Sequence, residues 1–294
     1  MTTTVRLGVF TPSVLLDVAR ESGALREAHL EVAQTLVSSS PAQFDALAGG
    51  AYDAVFTSPD NVVAYRFLPA NPLERIIDVE IIRVLDRGLG LSLAVRPGME
   101  RPTDRTRPLF AVDVPRSGFA FVGYALMERA GLAPGDYDIV ALGSTPKRAA
   151  ALVAGECDAT ILGAGNEVKA AAEGARLVSD VTDLGPYFGT VLARLRTGTG
   201  DRAAVDALAA VLHDTAARIV SGELAESASR SAARLLGLDA PGAQSHVAVL
   251  RDPARGLVRE EGVDPAGFAT LLELRRRYLP DPALDEVDLA ALLP

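Results

Sequence analysis

The chain reads as an α/β protein of two similar lobes, and three observations predict this. The stretch Ser39 to Val63 returns 105 residues later with nine identities kept in register: Ser39, Pro41, Ala46, Leu47, Gly50, Asp53, Ala54, Asn61 and Val63 match Ser144, Pro146, Ala151, Leu152, Gly155, Asp158, Ala159, Asn166 and Val168. Each copy carries the signals of a helix, a short buried strand and a second helix. The 294 residues are enough for two lobes of about 100–150 residues, each with its own core.

The elements follow in order. Val5 to Phe10 reads as a first strand, and Thr11-Pro12-Ser13 opens a helix that Gly23 ends. Ala33 to Val37 is a second strand. Ser40-Pro41 and Thr145-Pro146 read as N-caps with proline at the first helical position, and Gly50 and Gly155 close these helices where positive φ is needed. Ala54-Val55-Phe56 and Ala159 to Leu162 are apolar runs too short for helices and are read as buried parallel strands. A helix follows Asn61, and Ile76 to Leu85 and Leu89 to Val95 are β-rich. The proline-rich stretch Arg96 to Pro108 is the candidate lobe boundary. Leu109 to Val114, the helix Phe119 to Ala130 and the strand Tyr137 to Leu142 then restart the pattern. Leu177-Val178 and Tyr187 to Ala193 are further strands. Helices are expected over Ala203 to Val220, Leu224 to Leu236, Pro253 to Glu260 and Pro265 to Tyr278, with a last short one at Leu284 to Leu293.

Composition narrows the function. A net charge of −9 and the lack of any basic tract beyond Arg275-Arg276-Arg277, read as a solvated helix face, exclude nucleic acid as the expected partner. No run approaches the ~18 apolar residues of a membrane span, so no membrane insertion is expected. The N-terminus, MTTTVRLGVF, lacks the charged and apolar regions of a signal peptide, so a cytoplasmic protein is expected, or an extracytoplasmic one if a leader has been removed. The single cysteine, Cys157, allows no internal disulfide and no cysteine metal site. No phosphate-loop or dinucleotide fingerprint is present, so no cofactor and no metal are expected.

Ligands of parallel α/β sheets bind beyond the carboxyl ends of the strands, where helix N-termini also point. Thr11, Ser13, Ser39, Ser58, Asp60, Asn61, Arg116, Ser117, Gly118, Gly163 and Asn166 fall on that side. Their hydroxyls and free N–H groups suit an anion or a polar small molecule, or serve as helix caps alone. Arg116 could hold a carboxylate, sulfonate or phosphate bidentately. Asp60 could receive an amine or favour its helix N-terminus. Tyr187 offers an aromatic wall or ordinary core. Cys157, His29, Asp53 and Asp158 precede strands and fall on the far side. His213 is placed mid-helix and His246 between two helices, neither near a catalytic partner.

SSPAQFDALAGGAYDAVFTSPDNVV, VDVPRSGFAFVGYALMERAGL, LGSTPKRAAALVAGECDATIL and DPARGLVREEGVDPAGFATLLELR together resemble the type 2 solute-binding proteins of ABC importers, in the branch for nitrate, sulfonates, taurine and thiamine-pyrimidine precursors. The resemblance implies a type 2 periplasmic-binding-protein-like fold with a ligand cleft between two lobes. It places lobe I at 1–86 plus 194–294, lobe II at 97–186 and crossing segments at 87–96 and 187–193. It further implies a small anionic or aromatic-carboxylate ligand and a transporter permease as partner. Thr11, Ser13, Ser39, Ser58, Asn61, Arg116, Ser117, Gly118, Gly163 and Asn166 would touch the ligand. Cytoplasmic proteins of this fold include cofactor-independent lyases and decarboxylases of small aromatic acids, which stand as the alternative.

Overall fold

The computed structural model describes residues 1–198, 200–260, 264–288 and 292, and its strands fall into two five-stranded sheets. The chain begins with β1 (Thr3–Val9), α1 (Val14–Glu21), a single turn α2 (Ala24–Glu27), β2 (Leu30–Leu36), α3 (Ser40–Ala48), β3 (Ala54–Thr57), α4 (Pro59–Phe67) and β4 (Val79–Val84). It continues with β5 (Ser92–Val95), β6 (Leu109–Val112), α5 (Gly118–Arg129), β7 (Asp138–Ala141), α6 (Thr145–Ala154), β8 (Ala159–Leu162), α7 (Asn166–Ala172) and β9 (Arg176–Asp180). It closes with β10 (Val191–Leu195), α8 (Arg202–Ser221), α9 (Ala225–Leu236), α10 (Ala240–Arg251) and α11 (Pro265–Tyr278).

The sheets have the same plan. The first runs β2-β1-β3-β10-β4 and the second β7-β6-β8-β5-β9. In each, three strands pair in parallel and the fourth joins antiparallel, β10 on β3 and β5 on β8. That fourth strand is the first one made after the chain arrives from the other sheet. Two lobes of one design therefore exchange a strand. The chain leaves the first sheet after Val84 and joins the second at Ser92; it leaves at Asp180 and returns at Val191. Ser92–Val95, expected within a crossing segment, is a fully buried strand of the second sheet, and the polar stretch after Arg96 lies inside the second lobe.

The repeat has structural meaning at its polar positions. Asp53 accepts from the backbone N–H of Arg6 at 2.8 Å, and Asp158 accepts from that of Leu109 at 2.8 Å, so each ties the start of its lobe's central strand, β3 or β8, to the neighbouring β1 or β6. Gln43 donates to the Phe56 carbonyl at 3.0 Å, and its repeat partner Arg148 donates to that of Ile161 at 3.3 Å. Both side chains lie buried beneath the carboxyl end of a sheet. The caps sit one residue earlier than the Pro positions suggest. Ser39, not Ser40, accepts from Ala42 N–H at 3.3 Å, and Ser144 takes the equivalent place.

Three expectations for the C-terminal third are corrected. Residues 240–251 form α10, capped by Asp239, whose carboxylate accepts from Gly242 N–H at 2.8 Å. Pro253 to Glu260 is not helical; Leu257 pairs with Asp86, and Val258 N–H donates to the Leu85 carbonyl at 3.0 Å. Pro282–Glu286 is a 3-10 turn, and part of the expected helix Leu284 to Leu293 lies outside the described residues. Tyr187 to Thr190, expected to start a strand, precedes β10.

One apolar core runs through both lobes, joining Val55 and Val62 to Phe110 and Phe121 through Phe188, Phe268 and Leu271. A second core seats α1, α8, α9 and α10 on the outer face of the first sheet.

Candidate functional site

The carboxyl ends of both sheets face the junction of the lobes, and helices start there because hydroxyls hold their first N–H groups. Ser13 accepts from Leu16, Ser58 from Asn61 and Ser117 from Ala120, at 3.3, 3.2 and 3.0 Å. Proline and serine at these positions fix the entry of each helix, and the positive ends of α1, α4 and α5 result.

The centre of the junction is an ion pair. Arg275 of α11 grips Asp60 of α4 with two parallel hydrogen bonds of 2.6 Å each, and the two residues are 3% and 0% exposed. Asp60 lies in the first turn of α4 and also touches the first residue of α5: a Cβ on Gly118 would stand 2.6 Å from its Cγ. Two helix N-termini, one from each lobe, thus converge on one carboxylate. The Arg275 guanidinium lies 5.3 Å from the Phe121 ring. Burial works against its charge, but the Asp60 charge and hydrogen bonds outweigh burial and raise its pKa.

Near this pair lies the Tyr187 ring, 2% exposed, with a hydroxyl that has no hydrogen-bond partner among the described residues. Burial raises its pKa, and the negative charges of Asp60, Asp86 and Asp113 add to the effect. Asp86 ties the two passages between the lobes. Its carboxylate accepts from Gly88 N–H at 2.8 Å and from Thr190, and its carbonyl accepts from Gly189 N–H at 3.0 Å. Burial pushes its pKa up to about 6.

The second contact between lobes is at the start of α7. Glu167, 2% exposed, accepts from Gly165 N–H at 2.9 Å, while its other oxygen has no hydrogen-bond partner among the described residues. Burial pushes it up to about 8. His246 of α10, 1% exposed, stands against the same glycine, 3.5 Å from where its Cβ would be, and burial brings its pKa down to about 4. Gly165 has φ +92° and no room for a side chain, because Leu236 of α9 fills it.

The structure brings some of the expected site residues together and leaves others apart. Ser58, Asp60, Gly118 and Tyr187 are buried at or beneath the junction. Thr11, Ser13, Ser39, Asn61, Ser117 and Asn166 are half-buried. Asn61 donates to Thr57 Oγ1 at 3.1 Å, Asn166 donates to the Gly163 carbonyl at 3.0 Å, and Ser117 donates to Asp113 at 2.6 Å. Gly163 is buried against Gly88 and Leu91. Arg116 is exposed. Asp60 is committed to Arg275 and does not await an amine. Arg275 is not part of a solvated face, and His246 is inside a helix rather than between two.

A signal for Arg275 was present: Phe268, Leu271, Leu272 and Arg275 are spaced i, i+3, i+4, i+7, which puts the arginine on the buried stripe of α11. Asp239 with Pro241 behind it was a helix-start signal for α10.

No protein-family model matches the chain, and no curated protein matches it in sequence. Solved structures do match. The alkanesulfonate-binding protein SsuA from Xanthomonas axonopodis pv. citri superposes with a TM-score of 0.76 at 17% identity, covering 100% of this chain and 99% of its own. The periplasmic nitrate-binding protein NrtA from Synechocystis PCC 6803 gives 0.75 at 13%, covering 99% and 87%. A Candida albicans gene product with the generic periplasmic binding protein fold gives 0.72 at 10%, covering 99% and 96%. The fold is that of the two-lobed periplasmic binding proteins.

In a periplasmic-binding fold the junction of the lobes is the natural candidate site, and the buried groups of this chain gather there. A separate cavity of about 300 Å³ lies at the opposite end of the first sheet, between Gly50, Tyr52, Asp53, Arg194 and Arg202. Its charged walls are already paired: Asp53 with Arg6, and both arginines with Glu80. Among the described residues, no group of three or more His, Cys, Asp or Glu could hold a metal ion, and no helix is long and apolar enough to cross a membrane.

Proposed function

We propose that the chain is a solute-binding protein whose lobes close on a small anionic ligand of the carboxylate or sulfonate class. The observation that carries this reading is the meeting at the junction of the N-termini of α4 and α5, one from each lobe and capped by Ser58 and Ser117, with the exposed Arg116 on the turn before α5. Helix N-termini and the Arg116 guanidinium suit a carboxylate or sulfonate, while Arg275 is already neutralised by Asp60. The names of two of the solved relatives, one binding alkanesulfonates and one nitrate, support a small anion.

Thr11, Ser13, Ser39, Ser58 and Asn61 would meet the ligand from the first lobe, and Arg116, Ser117, Gly118, Gly163 and Asn166 from the second. Tyr187 would form the floor. Arg116, exposed on its turn, would fold over the ligand's charge as the lobes close. The protein would deliver its ligand to a transporter permease outside the cytoplasm, a reading that the similar structure named as a periplasmic nitrate-binding protein favours over a cytoplasmic one. Calorimetric titration of Arg116→Ala against the best-bound sulfonate or carboxylate tests the assignment. A loss of about 2–4 kcal/mol is expected, and unchanged affinity removes Arg116 from the site.

The second reading, a cofactor-independent lyase or decarboxylase, is favoured by Asp86 and Glu167, acids near the junction whose pKa values stand at about 6 and about 8. Groups so placed carry protons near neutral pH. Ligand recovered chemically changed after incubation would favour it.

A further inference from the structure

Helix α11 touches both lobes and the passage between them. Its first turn packs on the second passage: Gly267 leaves no room for a Cβ beside Phe188, and the Phe188 and Phe268 rings meet edge-on at 5.3 Å. The start of its last turn holds the first lobe through Arg275 and Asp60. The final residues of that same turn, Arg277 and Tyr278, lie on α5 of the second lobe. There the Tyr278 ring stacks on Phe121 at 6.0 Å and meets Tyr124 edge-on at 5.5 Å. The Tyr278 hydroxyl donates to Glu128 at 2.9 Å, and Arg277 pairs with the other oxygen of the same carboxylate.

We infer that α11 is a strap across the two lobes, fixed to the first at Asp60 and released from the second at Glu128. The inference rests on the reading that the lobes part and close. Lobes that part must separate α5 from α4, because Gly118 lies against Asp60. Helix α11 bonds to both, so it must let go of one. The two attachments differ in what water can replace. At Asp60 and Arg275 the side chains are 1% and 4% exposed, and separating them strands two charges in apolar surroundings. At Glu128 the Arg277 side chain is 59% exposed and that of Glu128 19%, so water already reaches the pair and takes over its hydrogen bonds as the helix lifts. The rings of Phe121 and Tyr124 are uncovered by the same movement, which sets the resistance to opening.

The test is the distance between the lobes. Spin labels on Leu36→Cys and Ile139→Cys, both exposed and one in each sheet, report it by pulsed electron resonance in a Cys157→Ala background. Glu128→Ala removes the receiving carboxylate, and Tyr278→Phe removes one donor while keeping the ring. The inference expects Tyr278→Phe, which loses one hydrogen bond to a charged group, to raise the ratio of long- to short-distance populations roughly tenfold, and Glu128→Ala, which loses two partners, by at least as much. Tyr278→Phe keeps the packing, so it carries the test if Glu128→Ala does not fold. Distance distributions identical to the parent in both variants overturn the strap, even if small anions bind. Widening in the variants upholds the strap, even if no anion on trial binds, in which case the proposed ligand class is what falls.

Discussion

Removing either partner of the Asp60–Arg275 pair should destabilise the protein, and the two removals should not cost the same. Asp60→Asn leaves a guanidinium buried on α11 with the Phe121 face as its remaining partner. Arginine cannot shed its proton, so the full penalty for an uncompensated buried charge applies, about 3–5 kcal/mol. Arg275→Met leaves a carboxylate that still faces the N-termini of α4 and α5. Each helix end returns about 0.3–1 kcal/mol, and a carboxylate can take up a proton. Arg275→Met should therefore cost about 1–2 kcal/mol less than Asp60→Asn. The double variant should recover most of the loss, since neither charge is then stranded. Chemical denaturation with a coincident thermal scan reads this, and the Asp60→Asn shift should be about 5–8 °C for a chain of this size. Single-variant losses below about 1 kcal/mol would mean that the pair behaves as an exposed one, and the reversed order would refute the role given to the helix ends.

Further outcomes follow from the same geometry. Glu167 holds its proton in the folded state up to about pH 8, against an ordinary value of 4.5. Its contribution is complete below 4.5 and falls away as pH rises towards 8, a loss on the order of 3–5 kcal/mol, because the folded state binds the extra proton. Glu167→Gln should match the parent at pH 5 and exceed it at pH 8 in denaturant titrations; the same slope in both would exclude Glu167 as the source. Gly118→Ala drives a methyl to within 2.6 Å of the Asp60 carboxylate, so it should weaken the contact between lobes and lower the melting temperature, whereas an unchanged melting curve would show that α5 yields freely there. Cys157 is buried, with its thiol pushed up to about 12, and iodoacetamide should leave it unmodified in the native protein; rapid alkylation without unfolding would contradict its place in the core.

Much of this arrangement was legible in the residues. The repeat marked two lobes because its identities fall at matching structural points of both: caps, helix-ending glycines and the aspartates that tie β3 to β1 and β8 to β6. Period and punctuation did less well where tertiary contacts decide. Pro241 and Gly242 look like breakers, yet behind Asp239 they open α10. Residues 253–260 have the composition of a helix, but the Gly256 backbone is packed against the carbonyls of Val249, Leu250 and Asp252, and the chain runs extended to meet Asp86. Three arginines in a row look alike in a sequence. Which of them is buried depends on the angle each takes around α11, and which carboxylate it meets lies 215 residues away. Asp60 was placed at the right end of the right helix, and its partner could not be read from local spacing.

The claim that this junction receives a small anion is tested most directly by native mass spectrometry of the purified protein, followed by thermal shift against sulfonates, aromatic carboxylates and pyrimidines. Each stabilising compound would then be recovered and analysed chromatographically. The account predicts saturable stabilisation by a sulfonate or carboxylate that is recovered unchanged. Stabilisation by neutral pyrimidines alone, or a ligand that disappears into product, would contradict it.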